Sequence, residues 1–234
     1  MVRIKAVIFD LDNVLYDERT YVDVAYCEIA RFLASICRLS EQVIYKKLLD
    51  ELHKKTSMYP RLFNDVLLDL DLDVALLPEI LKIYAQVTPN LRTYPGIKKL
   101  LRVLRKKRVK LALVTNGCVE IQRNKIKLLK LEKYFDVILF AREVAASLEK
   151  PNPQVYIKAL ELLGTKAEET LCVGDNPHTD FWGAKKLGMR TIRLLIGEFK
   201  FVKMPEEYEA ERSVHSIDEL INLFLNSNNT YFGL

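Results

Sequence analysis

From Gly96 to about Leu195, short apolar runs and amphipathic segments succeed one another with the period of a β-α unit. The runs at residues 109–114, 137–140, 170–173 and 191–195 read as strands, and the segments at 97–107, 119–131, 153–163 and 178–187 read as helices. An earlier apolar run at residues 4–9 supplies a first strand. Strands joined by helices through right-handed crossovers give a doubly wound parallel sheet, so the expected class is α/β with a Rossmann-like core. Gly164 and Gly188 stand just past two of the helices, at the position that usually needs positive φ. Ser216 and Glu219 form a capping box that opens a last helix to about Leu225, and the polar tail from Asn226 is expected to fray.

The interval before Gly96 breaks the alternation. From Tyr21 to about Thr88 the spacing is helical and no strand stands out. Helices are expected at 20–37, from the N-cap Ser40 to about 55, after Pro60, and at 74–87 before Pro89. Consecutive helices of this kind make a bundle. The expected organisation is an α/β core of residues 1–15 and 93–234, with an all-helical domain of residues 16–92 inserted into it. An insert that leaves directly from a strand end is expected over the carboxyl edge of the sheet, where a lid would sit.

That strand end carries the chemistry. Val7, Ile8 and Phe9 read as a buried strand, and the chain continues as Asp10-Leu11-Asp12. A buried strand gains nothing from two ionisable groups at its end unless something pairs them, so the pair asks for a cation. Ligands in open parallel sheets bind beyond the carboxyl ends of the strands, where Asp10 emerges. Other strand ends carry unusual residues as well. Thr115-Asn116-Gly117 offers a hydroxyl, an amide and backbone donors for a phosphate oxygen, although it is also an ordinary turn sequence. Lys150-Pro151-Asn152-Pro153 fixes a lysine by rigid flanks, and a lone lysine is ordinarily a solvated one. Gly174-Asp175 and Asp180 bracket a turn into a helix, where plain N-capping is the competing explanation. If the strands bearing Asp10 and Asp175 are neighbours, their carboxylates form a hard oxygen site suited to Mg²⁺.

Taken in order, Asp10-Leu11-Asp12-Asn13-Val14-Leu15, then Thr115-Asn116-Gly117, then Lys150, then Gly174-Asp175 with Asp180 resemble the four signatures of the haloacid dehalogenase-like hydrolase superfamily. The resemblance runs from Arg3 to about Leu195, and the insert is similar to that family's C1-type helical cap. It implies a nucleophilic Asp10 that forms an aspartyl-phosphate, and an Asp12 that serves as general acid and then as base. It implies that Thr115, Asn116, Gly117 and Lys150 bind the phosphoryl group, and that Mg²⁺ is held by Asp10, the main-chain carbonyl of Asp12 and Asp175. Asp180 would keep Lys150 or a metal-bound water in place. Asp12 favours phosphate-ester hydrolysis over the 2-haloacid dehalogenase alternative, because a halide leaves without a proton. Asn13 and Val14 stand where many members carry Gly and Thr. The expected function is a Mg²⁺-dependent phosphatase acting on a small phosphorylated metabolite. Phosphoglucomutase-like transfer and a catalytically silent binding module are the further alternatives, and the latter should have lost one of Asp10, Asp12, Lys150 or Asp175.

Composition excludes other classes. The net charge is +5, and the basic run from Lys98 to Lys110 is interleaved with Ile97, Leu100, Leu101 and Leu104 at helical spacing. It reads as the wet face of an amphipathic helix and not as a nucleic-acid patch. Cys27, Cys37, Cys118 and Cys172 form no CxxC pair, and nothing ahead of the first strand reads as a signal peptide, so a reducing, cytoplasmic setting is expected. Asn228-Asn229-Thr230 matches a glycosylation acceptor, which carries no meaning without secretion. No apolar stretch approaches the roughly 18 residues of a membrane span. No heptad or exposed apolar stripe stands out, and a monomer is expected. His178 reads as an exposed helix-start residue, Trp182 as packing, and Cys118 as a thiol without a base. Arg19, Tyr21, Tyr26, Met58 and Tyr59 are candidates to line a substrate entrance in the bundle, against the commoner role of aromatics as core.

Overall fold

Strand β1 (Ala6–Phe9) is apolar at every position because both of its faces are covered, and all four of its residues are buried. It lies inside a six-stranded sheet with β2 (Lys110–Thr115), β3 (Val137–Phe140), β4 (Thr170–Gly174), β5 (Arg190–Leu194) and β6 (Arg212–Val214), in the order β3-β2-β1-β4-β5-β6. Every strand pairing in it is parallel. The order runs outward in both directions from β1, so the topological switch lies between β1 and β4. Phe9 is in register with Leu113 on one side and Val173 on the other, which brings the ends of β1, β2 and β4 to one edge. The computed structural model describes residues 3–144 and 146–225; the tail from Asn226 and the triplet Asn228-Asn229-Thr230 lie outside the described residues.

The chain divides into two compact units, one taking the chain up to Glu18 and again from Leu91, the other Arg19–Asn90. The second unit is helical: α1 (Arg19–Ala34), α2 (Glu41–Lys55), α3 (Leu62–Asp69) and α4 (Leu77–Gln86). Ser40 caps α2, its hydroxyl accepting from Val43 N at 3.4 Å. Ile29, Leu33, Ile44, Leu48, Leu67 and Ile80 form the centre of its core. Within the sheet unit, the segments that lead to and from this insert pair with one another: Tyr16 bridges antiparallel to Thr93, and Tyr94 N donates to Leu15 O at 3.0 Å.

In the sheet unit, α5 (Ile97–Lys106) buries Ile97, Leu100, Leu101 and Leu104, leaving the basic residues as its outer face. It is followed by α6 (Val119–Leu129), the short α7 (Ala141–Val144) and α8 (Pro153–Leu163). The α8 helix starts on a proline, is capped by the Asn152 side chain and ends at Gly164 with φ +59°. Before α10 (Ile217–Leu225), Ser216 Oγ accepts from Glu219 N at 3.1 Å, while the Glu219 carboxylate returns to His215 N at 2.8 Å, one residue earlier than a standard capping box.

The largest departures from the sequence expectation are at α9 and β6. The helix expected at 178–187 is only α9 (Trp182–Lys186), because Asn176 and Asp180 spend their side chains on backbone N–H groups and hold residues 176–181 in a turn. Strand β6 went unpredicted, since three residues reading Arg-Ser-Val on a sheet edge carry almost no periodic signal. Among the described residues, no helix is long and apolar enough to cross a membrane.

Candidate active site

Asp10 continues the register of β1 by donating its N–H to Val173 O at 2.9 Å. Its Oδ1 accepts from Lys150 Nζ at 2.5 Å, and Lys150 also donates to Asp180 Oδ1 at 2.7 Å. Lys150 is buried on the loop before α8, and that loop is fastened from β2. Asn116 Oδ1 accepts from Lys150 N at 2.9 Å, Asn116 Nδ2 donates to Lys150 O at 2.8 Å, and Gly117 N donates to Glu149 Oε1 at 2.7 Å. The Asn116 side chain therefore acts on the backbone of Lys150, and through it on where the ammonium lies. The peptide bond between Lys150 and Pro151 is cis. Helix α9 packs directly on this loop: a Cβ at Gly183 would sit 2.2 Å from Pro151 O, so glycine is required there.

Asp180, almost fully buried, ties down the loop after β4. Its Oδ2 accepts from Asp175 N at 3.1 Å and Asn176 N at 3.0 Å, and its Oδ1 takes Lys150 and the Thr179 hydroxyl, at 3.3 Å. Both of its oxygens are thus committed. Asp175 differs: it is 3% exposed, and its Oδ2 is buried without a hydrogen-bond partner. Oxygens of Asp10, Asp175 and Asp180 all lie within 4.8 Å of one another. Burial, with the charges of Asp180 and Asp10 added, pushes the Asp175 carboxyl well above the usual range. Burial likewise raises Asp10 to about 7, with Lys150 opposing the rise and Asp180 and Asp12 adding to it. Burial would lower the Lys150 ammonium, but Asp10 and Asp180 outweigh it and keep the lysine charged.

Asp12 belongs to a separate cluster. Its Oδ1 accepts from the Tyr16 hydroxyl at 2.6 Å and from Lys125 Nζ at 2.8 Å, and its Oδ2 accepts from Gln122 Nε2 at 2.8 Å. Gln122 Nε2 also donates to Thr115 Oγ1 at 2.5 Å, and Lys125 donates to Glu18 Oε1 at 3.1 Å. Burial pushes Asp12 upward, but the Lys125 charge and the bonds from Lys125, Tyr16 and Gln122 hold it below the usual carboxylate range. Glu18 is raised to about 7 by burial and by the Asp12 charge. Sequence reasoning missed Gln122, Lys125 and Tyr16. The signal present was helical spacing, since Gln122 and Lys125 share a face of α6 with Ile126 and Leu129, which are buried.

The remaining candidates fall outside both clusters. His178 is half-buried, its ring edge-on to Phe199 at 6.2 Å, and precedes α9 instead of starting it. Trp182 stacks on Tyr208 at 6.1 Å. Cys118 is exposed at the N-cap of α6 and makes no capping bond. In the helical unit, Tyr21 and Tyr26 are spent on the core: Tyr21 donates to Tyr84 O at 2.7 Å, and Tyr26 packs on Phe63 and Tyr84. Tyr59 donates to Asp65 Oδ2 at 2.8 Å, whereas Met58 and Arg19 are exposed.

Residues 7–194 match the family model described as haloacid dehalogenase-like hydrolase. The chain is 30% identical over 230 residues to a glyceraldehyde 3-phosphate phosphatase of Methanocaldococcus jannaschii, covering 95% of this chain and 98% of that one. Among solved structures, a HAD phosphatase from Thermococcus onnurineus is similar at a TM-score of 0.67 and 27% identity, covering 94% and 97% of the two chains. A 2-haloacid dehalogenase from Pseudomonas syringae pv. Tomato shares the fold at a TM-score of 0.63 and 22% identity, covering 95% and 96%.

Proposed function

Since the chain belongs to the haloacid dehalogenase-like hydrolase family, we propose that it is a Mg²⁺-dependent phosphatase that hydrolyses a small phosphorylated metabolite through an aspartyl-phosphate on Asp10. In the first step an Asp10 carboxylate oxygen bonds to phosphorus as the bond to the ester oxygen breaks, and Asp12 gives its proton to that departing oxygen. In the second step water gives a proton to Asp12 and bonds to phosphorus, the Asp10–phosphorus bond breaks, and inorganic phosphate leaves. An incoming phosphate dianion raises the Asp12 carboxyl that Lys125 holds low, so that Asp12 takes a proton from solvent as substrate binds. Lys150 and the Thr115 hydroxyl orient and neutralise the phosphoryl oxygens, with Asn116 and Gly117 fixing the Lys150 loop.

The buried Asp175 oxygen without a partner, among carboxylates that burial raises, suits a hard divalent cation. Mg²⁺ would be held by Asp10, the main-chain carbonyl of Asp12 and Asp175, while Asp180 keeps the loop and Lys150 in position. When bound, it supplies positive charge that offsets the phosphoryl oxygens. We read the helical unit inserted between Glu18 and Leu91 as the counterpart of the family's helical cap. The same reading has the protein act as a cytoplasmic monomer on a free metabolite.

The observation that carries the phosphatase reading is Asp12, a second carboxylate with its own cation, Lys125, separate from the pair of Asp10 and Lys150. A departing alkoxide needs such a proton donor and a departing halide does not. The similarity to phosphatases named for glyceraldehyde 3-phosphate supports a phosphorylated triose as the first substrate class to test. The test is phosphate release from a panel of phosphorylated metabolites that includes glyceraldehyde 3-phosphate. Release is expected with Mg²⁺ and lost with chelator and in Asp10→Asn. Metal-independent halide release from 2-chloropropionate would overturn the reading in favour of a dehalogenase.

A further inference from the structure

We propose that Lys125, Gln122 and Tyr16 form a positioning clamp for Asp12, so that both proton transfers of the reaction depend on two side chains of α6 and one from the segment after β1. The inference rests on the phosphatase reading and names residues that neither the family signatures nor the sequence singled out.

The geometry is unusually complete for one carboxylate. Three donors from two parts of the chain meet its two oxygens at 2.6 to 2.8 Å. Lys125 is 2% exposed, and it is also anchored from Glu18 at 3.1 Å, so its ammonium is held between two carboxylates. A buried ammonium spanning two carboxylates this way leaves its stem little freedom to swing toward solvent. Gln122 is 4% exposed and uses one nitrogen for both Asp12 Oδ2 and Thr115 Oγ1. The group that transfers the proton and the hydroxyl that orients the phosphoryl oxygens are therefore registered to each other through one amide. Proton transfer demands a carboxyl oxygen within hydrogen-bond reach of the ester oxygen and then of the attacking water. A carboxylate turned about its own side-chain torsions, still ionisable but facing elsewhere, loses this function without disturbing Asp10 or Lys150.

A merely structural role for the clamp would weaken every substrate alike, and a positioning role would not. Two esters separate them: glycerol 1-phosphate, whose alkoxide requires protonation, and 2,4-dinitrophenyl phosphate, whose phenolate leaves unaided. The variants are Lys125→Met and Tyr16→Phe, the second removing one hydroxyl and keeping the ring if the first fails to fold. The expected result is a loss of about 10- to 100-fold in glycerol 1-phosphate turnover. The initial burst of dinitrophenolate should change by no more than a few-fold, followed by slowed steady turnover because the water of the second step has lost its base. Equal losses in the bond-breaking step for both esters, or unchanged turnover of both by Tyr16→Phe and Lys125→Met, would overturn the clamp. A wild-type protein that releases phosphate neither from these esters nor from any metabolite of the panel overturns the phosphatase reading itself, and the clamp with it.

Discussion

Lys150 Nζ stands 2.5 Å from Asp10 Oδ1 although the two residues are 140 positions apart in the chain, and the same ammonium reaches Asp180 at 2.7 Å. One buried cation therefore balances the nucleophile candidate and the residue that fastens the loop after β4. Replacing Lys150 by Met leaves two buried carboxylates without their cation, which costs about 3 to 5 kcal/mol. Urea unfolding of Lys150→Met should show that loss, and phosphate release should fall by more than about 100-fold. Stability and activity close to wild type would contradict the arrangement.

Gly174 and Asp180 constrain each other. A Cβ at Gly174 would sit 2.2 Å from Asp180 Oδ2, the oxygen that accepts from Asp175 N and Asn176 N. Gly174→Ala must push the Asp180 carboxylate aside, and overpacking of this kind costs about 1 to 3 kcal/mol. Thermal unfolding is expected to register the cost, together with a higher Mg²⁺ requirement for activity, since Asp175 loses its support. An alanine variant with unchanged Tm would show that the loop has room to spare.

Metal addition should be visible without any substrate. With Asp175 Oδ2 buried and lacking a partner, Mg²⁺ binding favours the folded state, by about 2.7 kcal/mol at a concentration 100 times its Kd. The wild-type Tm should rise with Mg²⁺ and the Asp175→Asn Tm should not. Equal responses from the two proteins would remove Asp175 from the metal site.

The pH dependence of stability has a defined sign. Glu18 is raised to about 7 by burial and by the Asp12 charge, whereas an unfolded chain releases the same proton at about 4.5. Between those values the folded protein holds more protons than the unfolded one. The contribution is full below about pH 4 and is lost as pH rises through about 7. Asp10, also raised to about 7, adds a slope of the same sign, so Glu18→Gln should reduce the fall in stability between about pH 4 and 7 without abolishing it. An unchanged slope in urea unfolding across this range would mean that Glu18 is ionised in the folded protein.

Strands β1 to β5 were legible in the sequence because they are apolar runs bounded by turn residues, and β3 and α8 fall where periodicity puts them. The strand-end residues were legible for the same reason: Asp10 and Asp175 follow buried strands and Thr115 ends one, and an ionisable or polar group there has to be explained. Lys150 was legible only by the order of the signatures, since nothing local distinguishes it from a solvated lysine. Gln122 and Lys125 left only a spacing signal, shared with Ile126 and Leu129, that does not by itself mark a site. Polar residues on a helix read as its wet face, and only the approach of α6 to the segment after β1 turns that face inward. The overlong helix expected from residue 178 failed for a related reason, because the Asp180 side chain takes backbone N–H groups of the loop instead of facing solvent.

The proposed chemistry stands on a covalent phosphate at Asp10, which can be trapped. Wild type, Asp12→Ala and Asp10→Asn would each be mixed with Mg²⁺ and 2,4-dinitrophenyl phosphate, whose phenolate leaves without a proton, acid-quenched, and digested for mass spectrometry of the peptide that contains Asp10. One phosphoryl group is expected on that peptide, more abundant in Asp12→Ala because the second step lacks its base, and none in Asp10→Asn. Phosphate release by the wild type with no phosphoryl group on Asp10 in any of the three, or release that survives Asp10→Asn, would contradict it.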